Sequence, residues 1–402
     1  MNYSRCKTFC IVLVLFFLIS SPIQGQKKYR AEKKLQQEFK GNFVKAVSQY
    51  KLLAANRPAG KFPKTWFPAT GKYEWSNSGW WCSGFYPGSL LYLYEQTGDT
   101  ALYKEALIML DELEKEKNNT GTHDLGFMMY CSFGNANRIA ALPGYNDILL
   151  TSARSLATRF NEKVGCIRSW DSKGSDFLVI IDNMMNLELL FWATRFSGDS
   201  SFYKLAVTHA NTTMKNHFRP DHSSYHVLNY DTATGIVKQK RTAQGAADES
   251  AWARGQAWGL YGFTVMYRET KDKKYLEQAN HIAHFILQHP NLPADKIPYW
   301  DFNAPGIPAV LRDASAAAIT ASALIELSEY TDPKTTVSYL NAAAVILKTL
   351  SGSSYKANRG TNGGFLIRHG VGHLPAGTEV DVPLTYADYY FIEAMTRFNK
   401  LR

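Results

Sequence analysis

The sequence predicts an all-α fold of repeated helical hairpins, six of which can close into an (α/α)6 toroid with a small inserted β-hairpin. Three observations carry this. A loose repeat recurs, an apolar run followed by a polar turn with Asp: "LLYLYEQTGD" to Asp99, "LLFWATRFSGD" to Asp199, "TVMYRETKD" to Asp272 and "LIELSEYTD" to Asp332. "ALPGYND", ending at Asp147, is a degenerate fifth copy. Six richly apolar helical segments alternate with six more polar ones, with apolar residues at three- and four-residue steps. A single stretch, residues 223–241, instead alternates like a strand, turns around "TATG" and returns.

The apolar helices are expected near 84–97, 125–137, 183–196, 252–269, 313–330 and 385–398. Their polar partners fall near 35–52, 100–117, 147–161, 201–217, 273–288 and 334–350. Gly, Asp and Pro punctuate the joins. Helical hairpins must stack to bury their apolar faces, and the repeat permits either a closed ring or an open solenoid. Residues 358–383, rich in Gly and Pro, read as a long irregular connection, a common place for function.

Ahead of the repeat, "MNYSRCKTFCIVLVLFFLISSPIQGQ" has a basic start at Arg5 and Lys7, an apolar run from Phe9 to Ile19, then small and turn-forming residues. That is the pattern of a secretory signal peptide over residues 1–25, leaving 26–402 as one catalytic domain. The apolar run is short for a membrane span, and no later segment is apolar enough to cross one. Export would place the protein across the inner membrane, in the periplasm.

The chain of 402 residues carries a formal charge of +10, which falls to +8 when Arg5 and Lys7 leave with the leader. Such a surplus favours anionic partners. Apart from "QKKYRAEKK" the basic residues form no dense run, so an acidic polysaccharide suits the chain better than nucleic acid. Cys82, Cys131 and Cys166 remain after the leader, an odd and widely spaced set with neither a disulfide framework nor metal-ligand spacing.

Four polar residues sit at the starts of apolar helices: Asp124 in "THDLGFMMY", Asp182 in "VIIDNMMN", Arg254 in "DESAWARGQAW" and Asp313 in "LRDASAAAI". In a ring of hairpins all inner helices start at the same end, so these side chains converge at one mouth. Asp is a favoured N-cap, and Asp313, followed by Ser and Ala, fits that role. Two acids at one aromatic mouth, Asp124 and Asp182, fit better the carboxylate pair that cleaves sugars. Desolvation beside a second carboxylate raises an acid's pKa, so that it can donate a proton near neutrality. Trp81 and Trp258 offer flat rings for sugar stacking, Arg254 can grip a carboxylate, and His123, adjacent to Asp124, and His226, on the inserted hairpin, are set apart from structural histidines. Glu188, further along the third apolar helix, reads as structural.

"HDLGF", "DNMMNLELLFWA" and "WARGQAWGLYGF", in this order and spacing, resemble the unsaturated glucuronyl hydrolases of glycoside hydrolase family 88. The likeness runs from about residue 66 to "YADYYFIEAM" near the C-terminus. It implies an (α/α)6 barrel and an exo-acting enzyme for lyase-generated glycosaminoglycan oligosaccharides, which end in a 4,5-unsaturated uronic acid. It implies no metal or other cofactor. By position Asp182 matches the family's general acid/base and Asp124 its partner carboxylate. Trp81, His123, His226, Gln244, Arg254 and Trp258 match residues lining the sugar subsite. The implied chemistry is hydration: Asp182 protonates C4, then activates water for attack at C5, and the resulting hemiketal collapses. The related rhamnogalacturonyl hydrolases, acting on pectin fragments, share the toroid and similar sequence. A non-catalytic glycan-binding protein is the alternative from another class.

Overall fold

The computed structural model describes residues 23–171 and 176–401, with side chains from Lys33 onward. Residues 1–22, most of the expected leader, lie outside the described residues. Among the described residues no helix is long and apolar enough to cross a membrane.

Among the described residues twelve α-helices alternate between an outer and an inner layer. The outer ones are α1 (Ile23–Asn56), α3 (Thr100–Leu113), α5 (Tyr145–Ala157), α7 (Ser200–Asn216), α9 (Lys273–Gln288) and α11 (Pro333–Ser351). The inner ones are α2 (Phe85–Thr97), α4 (Asn135–Ala140), α6 (Leu187–Ser197), α8 (Ala253–Thr270), α10 (Ala314–Leu327) and α12 (Thr385–Lys400). The Asp-ended repeat now has a physical meaning. Asp99, Asp199, Asp272 and Asp332 are the N-caps of α3, α7, α9 and α11, each accepting hydrogen bonds from free first-turn N–H groups. In the degenerate copy Asp147 lies inside the first turn of α5 and Gly144 takes the cap.

Inner helices pack in sequence around an axis, α8 on α10 and α10 on α12, and α12 packs back on α2. The ring is closed, an (α/α)6 barrel, which decides against the open solenoid. Inner helices α8 and α10 are buried almost all round, as a helix between an axial core and an outer layer must be. Phe85, Phe127, Trp258 and Tyr390 fill the axis, with ring centroids 5.0 to 5.8 Å apart along the chain of contacts.

Two inner helices start differently from the expectation. The second begins as π-helical turns over Gly126–Gly134 before α4, and the third is preceded by a 3-10 turn, Ile181–Asn186. Both irregular starts lie next to a predicted catalytic acid, where π-turns are common.

Short β elements decorate the ring. Strands β1 (Phe62–Phe67) and β2 (Lys72–Ser76) form one hairpin, and β3 (Phe160–Asn161) pairs with β4 (Cys166–Ile167). The hairpin expected over 223–241 is present as β6 (Val227–Asp231) and β7 (Val237–Arg241), but it is not isolated. β5 (Asp176–Ile180) pairs antiparallel with β6, so the apolar run ahead of Asp182 is a buried strand of a three-stranded sheet. The connection 358–383 is also more regular than expected: β8 (Gly370–His373) and β9 (Thr378–Val382) make a hairpin within it. Among the described residues Cys82, Cys131 and Cys166 are free, Cys82 and Cys166 buried.

Candidate active site

The starts of the inner helices meet at one mouth, and a cavity of about 100 Å³ opens there. Trp81, His123, Asp124, Asp182, Gln244 and Arg254 line it, joined by Phe127, Trp170 and Ile180. His226 and Trp258 stand directly behind that lining.

Asp182 lies two residues beyond the end of β5, as the second residue of the 3-10 turn, and lines the cavity. It is 9% exposed, and its pKa is pushed up to about 7, first by burial and then by the charge of Asp124, with Arg254 opposing. Its Oδ2 has no hydrogen-bond partner among the described residues. Asp124 is likewise 9% exposed and pushed up to about 7 by burial, while the Thr122 hydroxyl, the Asn186 amide and Arg159 favour its charged form. Thr122 Oγ1 donates to Asp124 Oδ2 at 3.3 Å. An ordinary aspartate is fully ionised at neutrality; these two share the range in which a proton can be both held and released.

His226 faces Asp182 from the position just before β6. Its Nδ1 accepts from the backbone N–H groups of Ala243 and Gln244, both at 3.2 Å, so the ring proton sits on Nε2. Nε2 points to Asp182 Oδ2 at 3.8 Å and has no hydrogen-bond partner. Burial, then the nearby Arg254, holds this imidazole well below its ordinary pKa, so the contact is between a neutral donor and a carboxyl. His123 is neutral for the same reason: burial lowers it to about 3. Its Nε2 lies 3.3 Å from Asp124 Oδ1, out of line for a hydrogen bond.

Two expectations change. Arg254, only 1% exposed, is not free to grip a substrate carboxylate with both guanidinium ends. Its Nη1 donates to Asp313 Oδ2 at 3.0 Å and to the Val371 carbonyl, and its Nη2 donates to the Gly372 carbonyl. Arg254 therefore ties the β8–β9 hairpin to the barrel and sets a positive potential on the cavity wall. Trp258 is 0% exposed, its ring packed on Phe127 and Tyr390, so it offers no open face for stacking. What it turns towards the site is its indole N–H, which lacks a partner and favours ionised Asp182. Trp81 keeps part of its ring exposed in the cavity while packing against Tyr386 at 4.9 Å.

Asp313 caps α10 through the Ser315 N–H at 2.9 Å, and Gln244 donates to the Gly372 carbonyl at 2.9 Å. Glu188 pairs with Arg268, away from this cavity. Sequence reasoning missed Trp170, in "RSWDS", and Trp252, two residues before Arg254. The Trp252 ring lies 4.5 Å from His226 and under the Arg254 guanidinium at 4.4 Å. A tryptophan in so polar a stretch as "RSWDS" was the available signal for Trp170. For Trp252, burial in the "ESAWARG" turn gave none. Among the described residues no group of three or more His, Cys, Asp or Glu side chains is placed to hold a metal ion.

The Glycosyl Hydrolase Family 88 model matches residues 54–297. The chain belongs to glycoside hydrolase family 88. This hydrolase is 44% identical over 396 residues to an unsaturated glucuronyl hydrolase of Formosa agariphila, covering 97% of each chain. It is 32% identical to an unsaturated chondroitin disaccharide hydrolase of Streptococcus pneumoniae, over 83% of this chain and 84% of that one. Among solved structures it is similar to an unsaturated glucuronyl hydrolase specific for heparin, with 48% identity and a TM-score of 0.87 over 90% of this chain and 97% of that chain. A mutant unsaturated glucuronyl hydrolase of Streptococcus agalactiae complexed with dGlcA-GalNAc6S matches with 29% identity and a TM-score of 0.78 over 92% of each chain.

Proposed function

We propose that this family 88 hydrolase removes the 4,5-unsaturated uronic acid from the non-reducing end of lyase-generated glycosaminoglycan oligosaccharides by hydrating the C4=C5 bond. The observation that carries the reading is the pair of buried acids, Asp124 and Asp182, both raised to about 7 at one small mouth. Hydrating the enol ether needs a positioned proton donor and a water rather than an enzyme nucleophile, and a carboxyl poised near 7 still holds a proton to donate at neutral pH.

In this reading neutral Asp182 gives its proton to C4, and positive charge develops on C5 and the ring oxygen. The Asp182 carboxylate then takes a proton from water as its oxygen bonds to C5. The hemiketal so formed opens, the C1–O bond breaks and the remaining sugar leaves as an alcohol. An oxygen about 2.8 Å from both His226 Nε2 and Asp182 Oδ2 would be held by the first as donor and activated by the second. Asp124, ionised, keeps the proton on Asp182 through its charge. Trp81 and Trp170 wall the ring, while Gln244 and His123 border it.

The similarity to a structure specific for heparin makes an unsaturated heparin-type disaccharide the first substrate to test. The sequence of residues 1–25 supports export and action in the periplasm, where such fragments would arrive. The test is spectroscopic, because hydration destroys the ultraviolet absorbance of the conjugated acid. The protein is incubated with unsaturated disaccharides from heparin, chondroitin, hyaluronan and pectin lyase digests. Loss of absorbance on a glycosaminoglycan fragment is expected; activity on the pectin fragment alone would sink the reading.

A further inference from the structure

Asn186 lies four residues after Asp182, at the end of the same 3-10 turn, and is 0% exposed. Its Oδ1 accepts the Phe127 backbone N–H at 3.0 Å, one of the free first-turn donors of the Asp124-bearing segment. The two segments touch so closely that a Cβ on Gly126 would lie 2.3 Å from the Asn186 Cα. Only glycine fits there, so the Asn186 backbone is fixed relative to Asp124. With Oδ1 committed to Phe127, the amide's orientation is set and its Nδ2 turns the other way. That Nδ2 is buried and has no hydrogen-bond partner among the described residues, an arrangement that costs free energy unless it serves a neighbour. The neighbour is the Asp124 carboxylate, whose charged form the Asn186 amide favours.

We propose that Asn186 is a positioning residue that divides one proton between the two acids, its carboxamide bridging the two segments and stabilising negative charge on Asp124. Charge on Asp124 in turn keeps the proton on Asp182, where the hydration reaction uses it. The two acids sit in similarly buried surroundings, and burial alone would leave both protonated. Thr122 donates to Asp124, and the unpartnered Asn186 Nδ2 is the second donor group that favours its charge. The inference rests on the hydration reading above and deepens it.

The test uses Asn186→Asp, which keeps an oxygen for the Phe127 N–H but replaces the donor with an acceptor. The pH dependence of kcat/KM is followed by loss of ultraviolet absorbance on the unsaturated disaccharide that the wild type hydrates. N186D should move the acidic limb upward by about one pH unit and lower the maximum at least ~10-fold, with a melting temperature near that of wild type. In an Asp124→Asn background the same change should have little further effect on the limb. A wild-type pH profile for N186D, or an equal shift in the D124N background, overturns the proposal. Should N186D not fold, ¹³C-carboxyl NMR of the wild-type protein decides: Asp124 must titrate below Asp182, and the reverse order overturns the assignment. Asp182→Asn is run alongside. A D182N enzyme as active as wild type would break the hydration reading itself, whereas an inactive D182N beside an unchanged N186D breaks only the role of Asn186.

Discussion

At the scale of single residues the site is a problem of where one proton rests. Burial lifts both Asp124 and Asp182, and their surroundings act on them differently: Thr122 and Asn186 favour charge on Asp124, while the Asp124 charge disfavours it on Asp182. Asp182→Asn should lower turnover by at least ~10²-fold, the usual order for losing general acid/base help, with KM little changed. Asp124→Asn should do something else. Removing its charge lowers the Asp182 pKa, so the alkaline limb of the pH–rate profile should move to lower pH, measurable in the same absorbance assay. The acids were legible in the sequence because carboxyls at the starts of apolar helices are conspicuous against their neighbours. Asn186 was not, since an amide in "DNMMNLELL" carries no charge to explain and its meaning lies in Phe127, 59 positions earlier. Trp258 and Arg254 were visible as residues but not in their use. Which ring face is covered, or which donor is already taken, depends on partners distant in the chain, Tyr390 and Val371 among them.

At the scale of elements, the mouth is framed by hairpins that the helical period could not show. The 358–383 segment reads as irregular because its strands are short and interrupted by Gly and Pro, and pairing, not pattern, makes them strands. Arg254 on α8 fixes β8 by donating to its carbonyls, and Asp313 on α10 neutralises that guanidinium in a pair whose side chains are 2% and 0% exposed. Truncating one partner of such a pair strands a buried charge, at a cost of about 3–5 kcal/mol. Asp313→Ala should therefore lower the unfolding free energy measured by denaturant titration by that order and reduce activity, although Asp313 is not among the residues lining the cavity. Arg254→Lys should not restore either, because one ammonium cannot serve two carbonyls and a carboxylate in a fixed fork. The start of the same segment depends on α12. Asp388 accepts from the Leu366 and Ile367 N–H groups at 2.8 and 2.9 Å, and burial pushes its pKa up to about 7. A folded-state pKa raised above the unfolded value of about 3.8 means that the folded chain holds the proton more tightly. Its contribution to stability is then complete below about pH 4 and is lost as pH rises through about 7. Asp124 and Asp182 have the same sign. Melting temperatures measured from pH 5 to 8 should fall with rising pH, and Asp388→Asn should flatten that slope.

At the scale of the whole molecule, the property that matters is that the ring closes, since closure brings the second and third hairpins and the fourth to a common mouth. The alternation of apolar and polar helices was readable from the sequence, and so was the Asp-ended turn that leads into α3, α7, α9 and α11. Closure was not, because an open solenoid would satisfy the same periodicity and differs only in whether the last inner helix meets the first. Gly88 marks that meeting. It lies on α2, and a Cβ there would come within 2.4 Å of the Cys131 carbonyl oxygen on one side and 2.6 Å of the Tyr389 ring on the other. One neighbour belongs to the second inner segment and the other to α12, so this single position is squeezed from both directions only in a closed ring. Gly88→Ala sets two effects against each other. Alanine gains up to about 1 kcal/mol of helix propensity over glycine. Forcing the backbone carbonyl and the tyrosine ring aside costs about 1–3 kcal/mol, and the carbonyl cannot rotate away as a side-chain tip could. The clash should win, lowering the thermal midpoint followed by circular dichroism. Because Trp81 and Asp124 lie just ahead of α2 and of the Gly126–Gly134 turns, kcat should fall with it. An unchanged or raised midpoint would mean that α2 and α12 do not meet as closely in solution as ring closure requires.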